Sequence, residues 1–280
     1  MQAGGHQVAV YHTNDLHGHM QPVFGETGGL NQVQALLKNQ ETHGLLLDAG
    51  GFLDLSGSYA AQKTMIRAMN TMGYHAATIG DDELALGPDH LASLARLMQF
   101  SLVNCNYHFK GELNDLVKPY VIIRSGKFKT GITGVGQKVN GIKCAGAINS
   151  VNIVAKHLKE QEKCDLVICL SHLGYTQPGD VPDDRKLAKQ SEHIDMIISG
   201  HNRSLLKNPS VFRNRLKHEV LIGLAAYNGL MLGKTVFNFE NSRQKQNLSA
   251  RNLITGQQAG ETFGSSFIRL KANEKYLATI

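Results

Sequence analysis

Short apolar runs alternate with amphipathic stretches along most of the chain. Residues 8–12, 45–47, 75–79, 101–103, 166–170 and 196–198 read as buried strands. Between them, apolar residues recur at helical spacing in 30–38, 59–72, 88–97, 151–161 and 183–190. Pro88 directly after Gly87 suits the first turn of a helix. This alternation predicts an α/β layered fold. Residues 120–124 and 130–135 flank Ser125-Gly126-Lys127, a hairpin signal, and 220–224 with 235–239 form a second hairpin-like pair. Strands that follow one another without helices imply that part of the sheet system is antiparallel. Beyond Asn241 the chain turns polar and Gln-rich, then weakly apolar over 263–270. The expected organisation is one domain over residues 1–245, with 246–280 as a C-terminal arm packing on it. No internal repeat is present.

Composition narrows the class. A chain of 280 residues can bury about 75% of its unfolded surface, so it needs no disulfide or zinc staple. With 42% hydrophobic and 19% charged residues, intrinsic disorder is excluded as the main state. The longest mostly apolar stretch, 220–233, is too short to span a bilayer, so no membrane span is expected. The net charge of +6 is uneven: from His201 onward twelve basic residues face four acidic ones, a local +8. That basic C-terminal quarter is the natural surface for a protein partner. It lacks dense like-charge blocks and interleaved aromatics, which argues against nucleic acid. Cys105, Cys144, Cys164 and Cys169 show no CxxC spacing, and Cys164 and Cys169 flank an apolar run as buried thiols. Met1-Gln2-Ala3-Gly4-Gly5 resembles a start fitted to a processed N-terminus. The expected location is therefore periplasmic or otherwise exported with the leader removed, with a cytoplasmic location as the alternative.

The candidate chemistry lies where the strands end. The first strand runs into Asn14-Asp15-Leu16-His17-Gly18-His19, the second into Asp48-Ala49-Gly50-Gly51, and the third into Gly80-Asp81-Asp82-Glu83. Two later strands run into Ser171-His172-Leu173-Gly174 and Gly200-His201-Asn202-Arg203. Carboxyl ends of strands share one edge of an α/β sheet, where ligands bind. Asp and His from separate strands converge there as a metal centre requires. Asp48 is expected to hydrogen-bond loop backbone, Glu83 to cap the following turn, and His12 and His19 to cap or hydrogen-bond. Phe52, Tyr59 and Tyr107 are candidates for the cleft wall, with core packing the simpler role.

His12-Thr13-Asn14-Asp15-Leu16-His17-Gly18 resembles the opening motif of the 5′-nucleotidase branch of calcineurin-like metallophosphoesterases. Gly28-Gly29-Leu30, Thr78-Ile79-Gly80, Gly131-Ile132-Thr133-Gly134-Val135, Leu170-Ser171-His172-Leu173-Gly174 and Ile198-Ser199-Gly200-His201 follow in the order of that family. The resemblance runs from about residue 8 to residue 239. It implies a four-layer αββα sandwich with two mixed central sheets. It also implies two metal ions about 3.5–4 Å apart that activate a water for attack on phosphorus.

By that resemblance the metal ligands are Asp15, His17, Asp81, His172 and His201. Several positions depart from the pattern. Gly51 stands where the bridging Asp should be, Asp81 where the family has Asn, and Asp82 where it has the catalytic His. Ala85 replaces the Asp that supports that His, and Arg203 replaces the terminal ligand of the first metal. Without a bridging carboxylate, two dications 4 Å apart repel by ~16 kcal/mol at an effective dielectric of 20. Arg203 adds a permanent cation with no lone pair to donate. A dinuclear centre is therefore not expected. Asp81, His172 and His201 form a two-His, one-carboxylate set for a single divalent ion (Mn, Fe, Mg or Zn), with Asp15 and Asp82 as further oxygens. The alternative is a metal-free cluster in which Arg203 pairs with Asp15, Asp81 or Asp82. Those three carboxylates against Arg203 leave −2 without metal and 0 with one, a poor welcome for phosphate. The expected role is a pseudoenzyme with a binding or assembly function. The alternative is a mononuclear phosphohydrolase, acting on nucleotides or other phosphate monoesters, with Asp82 as acid or base.

Overall fold

The computed structural model describes residues 6–258 and 260–274. The opening Met1-Gln2-Ala3-Gly4-Gly5, and Lys275 of the basic quarter, lie outside the described residues. In chain order the first half contains β1 (Gln7–Thr13), α1 (Leu30–Lys38), β2 (Leu45–Asp48), α2 (Tyr59–Met72), β3 (Ala76–Ala77), α3 (Asp81–Leu84), α4 (Pro88–Ala95) and β4 (Ser101–Val103). There follow β5 (Tyr107–His108), α5 (Glu112–Leu116), β6 (Val117–Lys118), β7 (Tyr120–Ser125), β8 (Phe128–Gly136), β9 (Lys143–Cys144), α6 (Ala147–Glu160) and β10 (Leu166–His172). The last third adds α7 (Asp184–Gln190), β11 (Met196–Ser199), β12 (Ser210–Arg213), β13 (Glu219–Gly223), β14 (Met231–Phe239), β15 (Lys245–Ile254) and α8 (Phe263–Ala272).

One sheet runs β15-β14-β1-β2-β3-β4-β6 and the other β12-β13-β11-β10-β8-β7. Both are mixed: β1, β2, β3 and β4 run parallel, as do β8, β10, β11 and β13, while β14, β15, β7 and β12 pair antiparallel. Alternation along β1 shows why the layers stack. Val8 and Val10 join Leu45, Leu47, Ile132, Leu166 and Ile168 in the core between the sheets. Ala9 and Tyr11 face the other way, into a second core with Leu30, Val33, Ile66 and Leu91 of the helices. A third core joins Val167, Cys169 and Ile197 to Val151 and Ala155 of α6 and Leu187 of α7. Three apolar layers between four layers of elements make the αββα sandwich.

Two expectations change. Residues 220–224 and 235–239 are not a hairpin: β13 lies in the second sheet and β14 in the first, where it pairs antiparallel with β1. Val220, Leu221, Met231 and Leu232 are all buried, so both of these strands need cover on two faces, which a hairpin at a surface cannot supply. The stretch from 246 begins inside β15, which adds to the edge of the first sheet on β14. Only after it does the chain pack as α8, with Leu270 buried against Tyr227 and Leu230. Cys164 and Cys169 are buried free thiols. No helix among the described residues is long and apolar enough to cross a membrane.

Candidate metal centre

The parallel strands bring their carboxyl ends to one edge of the sandwich, and the strand-end segments meet there across the seam between the sheets. Asp48 closes β2 and anchors the next turn, accepting N–H from Gly50 at 2.8 Å and O–H from Thr13 at 2.6 Å. Gly50 and Gly51 both hold positive φ, 86° and 69°, a conformation glycine adopts without strain. Their carbonyls accept N–H from Asp15 at 2.9 Å and His17 at 2.8 Å, so the first-strand loop rides on the second. Glu83 ties in the third. Fully buried, it accepts N–H from Gly80 at 2.8 Å, Gly51 at 2.9 Å and Leu53 at 3.0 Å. It therefore does more than cap the turn at α3.

Asp81, His172 and His201 come together, each offering one ligand atom, all within 4.8 Å of one another. Asp81 Oδ1 lies 3.1 Å from His172 Nε2 and 3.3 Å from His201 Nδ1. The His172 Nδ1–H donates to the Ala49 carbonyl at 2.8 Å. That bond turns Nε2 toward Asp81, the orientation a metal-ligating imidazole needs. Burial opposes charge on His172, but the Asp81 hydrogen bond and the nearby Asp15 and Glu83 carboxylates outweigh it and push its pKa up to about 10. Asp81, in turn, is held far below the usual carboxylate range by hydrogen bonds from His172 and His201. Without metal, the hydrogen bonds and neighbouring carboxylates thus favour the charged forms of both His172 and Asp81.

Asp15 sits beside this group and is engaged elsewhere. Its Oδ1 accepts the His201 N–H at 2.9 Å and its Oδ2 the Asn14 amide at 2.8 Å, while Oδ1 lies 3.9 Å from His172 Nε2. His17 is not one of the three: its Nδ1–H donates to Asn228 Oδ1 at 2.7 Å, and its Nε2 lies 3.7 Å from Asp82 Oδ2. Burial raises the Asp82 carboxyl, with Asp81 and Asp15 adding to the rise and His17 opposing it. Ala85 is exposed at the end of α3. Arg203, with His17, His19, Asp54, Leu55, Ser56 and Asp82, lines a cleft of about 480 Å³ beside the three ligands. Phe52 and Tyr107 are core residues. Tyr59 is exposed on α2 beside the His90 ring.

Gly51 is the informative departure. A Cβ built there lies 2.9 Å from Asp15 Oδ1 and 3.1 Å from His172 Cε1, so position 51 packs against both, and a side chain there, at φ 69°, would have to displace them. The donors present, two imidazole nitrogens and a carboxylate oxygen, fit one divalent ion. Asn228 was not evident from the sequence. Its N–H donates to the Asp15 carbonyl at 2.7 Å while its side chain holds His17, and its one signal was the Asn228-Gly229 turn pair inside an otherwise apolar run.

A four-layer αββα sandwich with Asp and His at strand ends on one edge is the metallophosphoesterase fold. No family model matches the chain. It is 25% identical over 289 residues to the trifunctional nucleotide phosphoesterase protein YfkN of Bacillus subtilis, covering 86% of this chain and 19% of that protein. It is 25% identical over 240 residues to a 5′-nucleotidase of Vibrio cholerae, covering 76% of this chain and 43% of that protein. The crystal structure of a 5′-nucleotidase precursor from Thermus thermophilus superimposes with a TM-score of 0.80 at 22% identity, over 98% of this chain and 59% of that one. The chain is a homologue of 5′-nucleotidases and of the calcineurin-like phosphoesterase YfkN. It spans less than half the length of these two curated relatives.

Proposed function

We propose that the chain is a pseudoenzyme of the metallophosphoesterase fold. It holds a single divalent ion on Asp81, His172 and His201 and acts by binding or assembly rather than by hydrolysis. The observation that carries this reading is Gly51, packed against Asp15 and His172 with no carboxylate to offer where the resemblance implies a bridging one. Two further features support it. Asp82 replaces an imidazole that would protonate a leaving oxygen, and general acid–base help of that kind is worth about 10²–10⁴-fold. Arg203 brings a fixed cation to the cleft beside the ligands. When bound, the ion would supply a Lewis-acidic anchor for an anionic group; the three residues hold it, and Ala49 fixes the His172 ring. The basic C-terminal quarter is the partner surface in this proposal, and the exported location belongs to it, checked by cell fractionation.

The test is metal analysis with a phosphatase assay. The purified chain should bind one equivalent of Mn²⁺ and hydrolyse neither AMP nor p-nitrophenyl phosphate above background. Turnover at ordinary phosphatase rates, lost on His172→Ala, would overturn the reading. Restoring the family residues together (Gly51→Asp, Asp81→Asn, Asp82→His, Ala85→Asp and Arg203→His) should raise metal content toward two and bring activity into view.

A further inference from the structure

Ser171 and Ser199 are the last in-register pair of the parallel strands β10 and β11. The next residue on one strand is His172, and on the other, past Gly200, His201. Both serines are fully buried, and both donate their hydroxyls to one carboxyl group: Ser171 to Asp184 Oδ1 and Ser199 to Asp184 Oδ2. Asp184, the first residue of α7, is itself fully buried and forms no ion pair among the described residues. A carboxyl group without a cation is an expensive choice for a core position. Here its two oxygens reach the two ligand-bearing strands.

We propose that Asp184 is a positioning residue that fixes the spacing of His172 against His201, and so the affinity of the metal site; this rests on the single-ion reading above. The surrounding bonds anchor the clamp. The Asp184 N–H donates to the Gly174 carbonyl at 3.0 Å, tying the carboxyl group to the loop that follows His172. Asp183 caps α7, accepting N–H from Lys186 at 2.7 Å and from Gln177 at 3.0 Å, which pins the helix start under the strand ends. On the other side, the Gly200 N–H donates to the Ser171 carbonyl at 2.8 Å. His201 holds φ at 73°, a conformation unfavourable for a side chain of its size, so its loop needs such support. His172 Nε2 and His201 Nδ1 reach the same oxygen of Asp81 at 3.1 and 3.3 Å. A slide of β10 against β11 by an ångström would break that common distance, and ligand sites tolerate errors of only about half an ångström.

The experiment compares Co²⁺ binding to the metal-stripped full chain, by calorimetry and by the visible absorption of the bound ion, across four proteins. These are the wild type, Asp184→Asn, Asp184→Ala and the double variant Ser171→Ala/Ser199→Ala. The asparagine amide can pair with both hydroxyls after they rotate, so Asp184→Asn should stay within about threefold of wild type with an unchanged spectrum. Asp184→Ala and the double serine variant should each lose about 10–100-fold in affinity and shift the absorption bands while keeping their far-ultraviolet dichroism. A folded Asp184→Ala protein with wild-type affinity and spectrum would overturn the inference. Should that variant fail to fold, unchanged binding by the double serine variant overturns it equally. A wild type that takes up no Co²⁺ would sink the single-ion reading and this inference with it, whereas binding indifferent to Asp184 sinks this inference alone.

Discussion

Glu83 offers the sharpest test of how the candidate site is held together. One fully buried carboxylate accepts three backbone amides from two loops, with Gly80 and Gly51 on Oε2 and Leu53 on Oε1. Burial pushes its pKa up, while the nearby His172 and the amides of Leu53 and Gly51 pull it back. In Glu83→Gln the amide oxygen can keep the two donors on one side, but its NH2 group then faces the third N–H. One buried donor left without an acceptor costs about 1–3 kcal/mol. In Glu83→Ala all three amides lose their acceptor, about 3–9 kcal/mol, which rivals the whole stability of a typical domain at about 5–15 kcal/mol. At about 2–4 °C per kcal/mol, the glutamine variant should melt roughly 5 °C below wild type and the alanine variant about 6–36 °C below it. Thermal unfolding followed by circular dichroism, with chelator present so that no metal contributes, measures both. Melting of Glu83→Gln within 1 °C of wild type, together with a stable Glu83→Ala, would refute the claim that this carboxylate holds the loops.

Three further outcomes follow from the same geometry. His172→Ala should abolish Mn²⁺ binding in calorimetry, whereas His17→Ala should leave the affinity within about threefold, because His17 stands outside the three-ligand group; equal losses would make His17 a ligand as well. Asp195 accepts from Lys159 and Lys245, each at 2.8 Å, and although burial opposes it these two ammonium groups hold its carboxyl below the usual range. Its contribution to stability is therefore present above the unfolded pKa of about 4 and lost as pH falls through the lower folded value. Urea unfolding of Asp195→Asn should accordingly show a shallower loss of stability between pH 5 and acid than wild type. Gly233→Ala would push a Cβ into the buried His12 ring and should cost about 1–3 kcal/mol, read as a lower urea midpoint with an unchanged slope.

Much of the fold was legible because local signals agreed with it. Residues 30–38 and 59–72 carry helical periodicity over their full length, and the latter begins at a Ser58 cap and ends at Gly73 in the left-handed conformation. The parallel strands were visible as continuous apolar runs because both of their faces are covered. The same property misled at 220–224 and 235–239: apolarity marks a strand as buried, but does not say in which sheet. At the site, Asp81, His172 and His201 could be read from their strand ends, since the topology alone brings those ends to one edge. The support around them could not. Asn228 lies 211 residues from its partner His17, and Asp184 looks like any acidic residue in the first turn of a helix. Glu83 could be read as a cap, but its bonds to Gly51 and Leu53 depend on a chain reversal that no local pattern encodes.

The three candidate ligands do not belong to one sheet. Asp81 follows β3 of the first sheet, and His172 and His201 end or follow β10 and β11 of the second. Whatever engages all three at once adds a rivet between two slabs already joined at their rims by bonds such as Ala49 to His172 and Lys245 to Asp195. Occupancy would then register as mechanical stiffness, resisting shear of one slab over the other and slowing protease entry along the join, with no bond made or broken in a substrate.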